Sequence, residues 1–401
     1  MLTEKLFLIP DKFQPTIRMK PFISLVVCLC LHGVSFGQDS TKASPFQLGG
    51  YVKFLETGTF DQVNKTQSNT HLIHNRLRMK WSIGHKLYLQ TEVRNRIFWG
   101  SSVQQNPFFA DYLRNANEWL NLSSPWIRQS DLVAHTTIDR LFFDYKYKQL
   151  SMRIGRQRIN WGIASIWNPN DLFNAFNFLD VDYEERPGSD ALKAQYHLEN
   201  MSSFDFVYAQ TGINSSIYAG KYFFNAKGFD VQIIAGNYKG GGTFGLGLAG
   251  NWGDAGLKAE AQHYVEKPGL LLPQTNVTVG IDYMMSKGWY INGGYLYNSL
   301  GISEPIGNWN FVDFRLSSKN LMPTKHNYLI SVSKQLNPLS SLSLTTIYAP
   351  QTNLLIAVPT LTYSAANNIE LNMFWQSFFA ELNQSFRPMS NVLMGRIRWS
   401  Y

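Results

Sequence analysis

Only two cysteines occur in the 401 residues, Cys28 and Cys30, and both stand in one apolar run. They can build neither a disulfide framework nor a cysteine-based metal site. Charge is scarce too: Asp, Glu, Lys and Arg make up 16% of the chain, against about 25% in an average soluble domain. No apolar run reaches the ~20 residues of a membrane-crossing helix, and the mean hydropathy is slightly negative. No basic run interleaved with aromatics exists either, so the net charge of +8 gives no argument for nucleic acid. His71 and His74 of HLIH are spaced so that a strand would put their rings on opposite faces, and no metal is expected there. The glycines at 240–242 lack the following Lys-Ser/Thr of a phosphate cradle and read as a turn. Since no Ser, His and acidic set has a defensible spacing, no catalytic residue and no cofactor is assigned.

What the chain does have is aromatic residues, 14% of the total, with Phe 27, Tyr 20 and Trp 11. An apolar excess that forms neither a long run nor a helical stripe must be spread over many short strands. The fold class expected is therefore all-β: a transmembrane antiparallel up-and-down β-barrel with a polar lumen. Ahead of it, Met19 and Lys20 look like the start of a secretory signal, 23–31 like its apolar core, and Ser35 and Gly37 like the small residues before cleavage near Gly37/Gln38. Residues 1–37 are then an N-terminal extension plus signal peptide, 38–45 a periplasmic segment and 46–401 the barrel. Neither cysteine is followed by the small residue of a lipoprotein signal, so lipid anchoring is not expected.

From Phe46 onward the period is two. Phe46, Leu48, Val52 and Phe54 alternate with Gln47, Tyr51 and Lys53. In the next run Ile73, Leu77, Met79 and Trp81 alternate with His74, Arg76, Arg78 and Lys80, and after it Leu87, Leu89, Val93, Ile97 and Trp99 alternate with Gln90, Glu92, Arg94 and Arg96. Cationic rows on one strand face suit a wet lumen and no soluble core. The segment 100–134 offers a short helix capped by Asp111, carrying Leu113, Trp119 and Leu120, or an ordered surface loop. Connections run about 12, 4, 35, 2 and 30 residues, the alternation of long external and short periplasmic loops. Further strands are expected near 192–198, 204–209, 216–224, 229–238, 243–251, 255–265, 276–285, 289–298, 325–335, 340–348, 354–363 and 369–379, joined by shorter loops. The total is about 18 strands, with 16 as the nearest rival.

The stretch 150–189 organises the rest: a strand that runs into a loop with five carboxylates and two tryptophans. As the third external loop, 161–189 is expected to enter the lumen as its constriction, through Trp161, Trp167, Asn168, Asn170, Asp171, Asp180, Asp182, Glu184, Glu185 and Arg186. Facing it, Arg76, Arg78, Lys80, Glu92, Arg94, Arg96, Arg153 and Gln157 are expected to line a pore. Opposed rows of charge would set up a transverse field favouring polar solutes; alternatively the rows pair and stiffen the loop. Strict alternation points Arg156 and Arg158 at lipid. Either they meet lipopolysaccharide phosphates at the outer interface, or Gly155 hosts a bulge that turns them inward, and the second is preferred. Trp161 and Trp167 suit loop packing or an interface girdle, with sugar stacking as the rival.

The last strand, VLMGRIRWSY, alternates Leu393, Ile397, Trp399 and Tyr401 with Met394, Arg396, Arg398 and Ser400 and ends on an aromatic. It resembles the carboxy-terminal signature of bacterial outer-membrane barrels, which in that group is what the barrel-insertion machinery reads. RIGRQRINWG followed by NPNDLFN resembles the porin-like and alginate-export-like barrels of Gram-negative outer membranes, where G-[RK]-Q-x-x-x-W-G precedes an infolding loop. The resemblance implies a channel for passive diffusion of small polar or anionic solutes, acidic saccharides among them, embedded in outer-membrane lipid and lipopolysaccharide and needing no cofactor. A plugged barrel that attaches or assembles surface polysaccharide, and a barrel-embedded lipid hydrolase, are the alternatives.

Overall fold

The computed structural model describes residues 44–113, 118–174, 180, 182, 185–269, 272–305, 316–382 and 384–401. The expected signal segment and most of 38–45 lie outside them, as does Glu184. The chain opens with β1 (Phe46–Asp61), β2 (Thr66–Ile83) and β3 (Leu87–Trp99), then two single-turn helices, α1 (Ser101–Gln104) and α2 (Phe109–Tyr112). Next come β4 (Ser123–Arg128), β5 (Leu132–Tyr147), β6 (Leu150–Gln157), β7 (Ser189–His197), β8 (Ser203–Gly212), β9 (Ser215–Ala226) and β10 (Phe229–Tyr238). The remainder is β11 (Gly241–Trp252), β12 (Ala255–Tyr264), β13 (Gln274–Met285), β14 (Trp289–Asn298), β15 (His326–Asn337), β16 (Ser340–Ala349), β17 (Leu354–Ala366), β18 (Ile369–Leu382) and β19 (Ser385–Ser400).

All pairings are antiparallel in one 19-stranded sheet, and β4 ladders with β5 alone, so 18 strands form the ring. Closure joins β1 to β19 from Tyr51↔Ser400 to Asp61↔Ser390. Tyr401 extends the seam by exchanging two backbone hydrogen bonds of 3.0 Å with Gly50. Such closure leaves the ring no open edge, which is what lets strands cross lipid.

Alternation decides which side of each strand is wet. Leu48, Ile154, Leu246, Ile330 and Met373 point outward and stay exposed, while Tyr51, Lys53, His74 and Arg76 point inward and are buried. An apolar surface running right round the ring is a lipid-facing surface. Outward aromatics stack near its margin, as in the Phe204, Tyr222 and Phe224 row at 4.5 and 5.2 Å between centroids.

At one end the turns hold two to five residues, from 148–149 to 198–202; at the other lie the long connections 100–131, 158–188 and 299–325. Two loop expectations fail. The first external connection, expected at about 12 residues, is the turn 62–65, because β1 and β2 run on to Asp61 and from Thr66. Above a bilayer both strand faces are wet, so polar residues there do not stop the ladder. The later part of the chain is also not uniformly short-looped, since 299–325 is long. Asp111 lies inside α2, whose N-cap is Phe108.

The core lies in the lumen. Ile159, Trp161, Leu172 and Phe173 pack on Val207, Ala209, Ile217, Ala219, Ile234, Tyr238 and Tyr264 of the wall. Trp167, Leu321 and Met322 pack on Leu296, Leu329, Ile347, Leu354 and Ile356. Val103 and Ala110 of the helices pack on Leu55, Leu72, Phe98, Val133 and Met394. All three long connections therefore fold inward.

β6 is short, and its place in the wall is completed by β4. β6 covers the lower edge of β5, up to Leu141↔Arg156. Higher on the same edge stand Leu122, whose carbonyl accepts from Ile138 N at 2.9 Å, and β4, from Ser123↔Thr137 to Arg128↔Val133. One wall position is thus filled by two separate stretches of chain, and 158–188 is free to turn inward.

Candidate functional site

Arg156 fastens that joint. It is 1% exposed and grips Asp190 through Nε (2.8 Å) and Nη2 (2.9 Å), while Nη1 meets Glu118 at 2.8 Å and Nη2 donates to the Leu120 carbonyl. Its expected place on a pore surface is therefore corrected: it neither lines the lumen nor meets lipid. Gly155 has a φ of +118° but no register shift accompanies it, so the bend is a glycine kink and no bulge is present. Gln157, also expected to line the pore, is fully buried and donates to the Ala191 carbonyl at 2.9 Å.

Beyond Gln157 the segment leaves the wall and is tied inside the lumen to β8, β10 and β11. Trp161 Nε1 donates to Asp205 at 3.2 Å, Gln232 donates to the Trp161 carbonyl at 2.8 Å, and Asn170 Nδ2 donates to the Leu246 carbonyl at 2.8 Å. Both tryptophans are buried, which excludes sugar stacking on them, and Asn168, Asn170 and Asp171 are buried as well. These five fasten the infolded segment to the wall and do not form the water-facing rim expected of them.

The loop then returns to the basic wall, where charges are paired. Asp182 lies 3.0 Å from Lys53 Nζ and 2.9 Å from His74 Nδ1. Arg76 binds Glu92 at 2.5 Å, Asp139 at 2.7 Å and also Glu185, and Arg94 reaches Asp139 at 3.1 Å. Burial disfavours charge on Asp182, yet His74, Lys53 and Arg96 outweigh it and hold its carboxyl well below the usual range. For Asp171 burial prevails and pushes the carboxyl up to about 6, although Arg186 is bonded to it. The opposed rows foreseen from sequence are thus closed into ion pairs, and Arg96 donates to the Leu113 carbonyl at 3.2 Å. Asp180 remains exposed.

Sequence reasoning missed Asp139. Alternation places it with Leu141 and Phe143, facing lipid. A bulge sets it between Arg140↔Glu92 and Ile138↔Val93, so Asp139 and Arg140 both turn inward.

Toward the short-turn end, below the paired layer, lies a cavity of about 370 Å³ lined by Arg78, Tyr88, Gln90, Glu92, Arg140, Phe142, Arg153, Arg158 and Glu185. Of its cations, Arg153 pairs with Asp144 at 2.5 Å and lies 4.4 Å over the Phe142 ring. Arg140 donates to the main-chain oxygens of Asp139 and Arg186. Arg78 and Arg158 are exposed and make no ion pair among the described residues. Both carboxylates of the cavity are engaged by Arg76. Burial first, and then the neighbouring Arg186, push Arg158 down from the usual guanidinium value, against the opposite pull of Asp171. Lys80 stands beside it, 4.6 Å over Tyr88.

A hydrolase reading would need a nucleophile with an oriented base. Ser123 Oγ is 2.8 Å from His135 Nε2, but His135 Nδ1 faces the Thr137 hydroxyl at 3.3 Å, where a carboxylate would be required. Both Ser123 and His135 are buried. Among the described residues no cluster of His, Cys, Asp or Glu could hold a metal.

Scans of protein-family models and of curated proteins find no match. Solved structures do match. Pseudomonas aeruginosa OccK5 (OpdH) superposes with a TM-score of 0.59 at 8% identity over 89% of this chain and 98% of that one. Acinetobacter baumannii OccAB3 gives 0.57 at 9% over 90% and 100%, and OccAB4 gives 0.56 at 9% over 89% and 99%. At such identities the likeness establishes architecture, and it supports the porin-like side of the resemblance without extending to the alginate-export side. The chain has the closed 18-strand antiparallel barrel fold of outer-membrane porins.

Proposed function

We propose that the chain is an outer-membrane channel through which small polar anions diffuse, with 158–188 as its constriction. The supporting observation is the cavity: two exposed guanidiniums, Arg78 and Arg158, on a wall whose carboxylates are already occupied. An anion entering it meets uncompensated positive charge in a confined site, where charge attraction is stronger than in bulk water. Carboxylates and phosphates both fit a guanidinium fork, and acidic saccharides belong to this class.

The test is conductance in planar bilayers under a salt gradient. Wild-type protein gives discrete current steps and a reversal potential favouring chloride, and Arg78→Glu with Arg158→Glu moves that potential toward cation preference. An unchanged reversal potential refutes the cavity as the selectivity site, and absence of steps refutes the channel.

A second reading has an observation of its own. Three infolded connections bury much of the lumen, as a plugged barrel that holds surface polysaccharide would. Loop-dependent polysaccharide binding without conductance would favour it.

A further inference from the structure

Glu260 sits on β12, six strands further round the ring than β6, and is 2% exposed. Its Oε1 accepts from the backbone N–H groups of Ile163 and Ala164, the latter at 2.6 Å, and its Oε2 accepts from Asn170 N at 2.9 Å. Among the described residues it has no salt-bridge partner; Lys258, two residues away, is instead 3.5 Å from Asp282 and 3.3 Å from Ser165 Oγ. A buried carboxylate without a cation is costly unless several donors converge on it. Here the donors are amides of the infolded segment, folded into an anion-holding nest. The arrangement is reciprocal: without the carboxylate, three main-chain donors would lose their acceptor, that of Asn170 buried and those of Ile163 and Ala164 half-buried.

We propose that Glu260 is the positioning residue of the constriction, the wall carboxylate around which the main chain of 163–170 is wrapped and by which the pore cross-section is set. This rests on the channel reading for its electrical consequence but not for its structural one. Of the other ties to that wall, those from Gln232 and to Leu246 are neutral hydrogen bonds and the Trp161 indole gives Asp205 a single bond at 3.2 Å, whereas three main-chain donors converge on the one carboxylate of Glu260. The nest also identifies the chemistry that could replace the side chain: a free small carboxylate. Glu260→Ala leaves room for one where the carboxylate stood.

Full-length protein is examined by backbone hydrogen exchange in detergent micelles and by single-channel recording, as wild type, Glu260→Ala and Glu260→Gln, each in sodium chloride and in sodium acetate of equal ionic strength. Expected for Glu260→Ala in chloride is exchange about tenfold faster at Ile163, Ala164 and Asn170, with β11 to β13 unchanged and current fluctuating among levels. Acetate restores both protection and a steady level in Glu260→Ala, while in wild type it changes the size of the current with the permeant anion but neither the protection of these amides nor the steadiness of the level. Glu260→Gln, which keeps the bulk and one acceptor oxygen, falls between. Unchanged exchange in Glu260→Ala overturns the proposal, as does faster exchange with wild-type current. If wild type conducts nothing, the channel reading fails while the exchange and acetate arms still decide the latch.

Discussion

A Cβ placed on Gly155 would come within 2.2 Å of the Leu141 carbonyl oxygen, at a φ of +118°. Gly155→Ala is therefore expected to cost about 1–3 kcal/mol, read as a lower temperature at which the folded barrel loses its fast mobility in detergent gels. One residue on, Arg156→Leu strands Asp190 and Glu118 without their cation, and about 3–5 kcal/mol is expected. The same gel assay checks it, and heat resistance equal to wild type would contradict the staple role. Asp171 carries a pH dependence of known sign. With its carboxyl raised from 3.8 to about 6, the folded chain holds a proton that the unfolded chain releases, so docking is favoured below that range and weakens as pH rises through it. Amide exchange of 171–174 should slow on going from pH 6 toward 4, after correction for intrinsic rates, and Asp171→Asn should flatten that slope.

Among the elements, the segment 158–188 is the one whose removal is most informative. Its strands are tied into the ring by their own ladders, so replacing 160–187 with a short Gly/Ser linker should leave the barrel closed and raise conductance several-fold. Unchanged conductance would mean that another infolded connection sets the limit. The place of this loop was legible in the sequence because period two assigns faces, and lengths of turns assign ends. Period two puts Glu260 with Lys258 and Gln262 opposite Leu257, Ala259 and Ala261, yet its partners are backbone amides, which every residue offers and no sequence advertises. The patch SSPWIR at β4 was not legible, since it neither alternates cleanly nor declares the edge it will cover. Asp139 was hidden by a bulge that inverts parity for one residue, and the inward turn of 316–325 by side-chain amides such as Asn298, which donates to the Met322 carbonyl at 3.0 Å. The charges on 180–186 were visible, but whether they faced water or Arg76 and Lys53 depended on a distance across the lumen.

At the scale of the whole molecule, the barrel is a sheet with its solvents exchanged: lipid outside, packed side chains and confined water within. Ring closure depends on the last residue as much as on the last strand. Tyr401 exchanges backbone bonds with Gly50, and Asn75 Nδ2 donates to its hydroxyl at 3.1 Å. Deleting Tyr401 is expected to lower the folded yield and heat resistance; indistinguishable melting would show that the ladder from Tyr51↔Ser400 upward suffices.

The two-piece wall position has a consequence for how the chain finds its course. The β4–β5 hairpin is closed by the short connection 129–131, and Arg156 and Asp190 pin the chain that leads into it at Leu120. With β4 on the upper rim of β5, β6 pairs only with the lower half before the chain turns sideways into the hollow. The inward route of the infolded loop thus goes with the other tenant of the same edge, and weakening that tenancy would let the wall reclaim part of it.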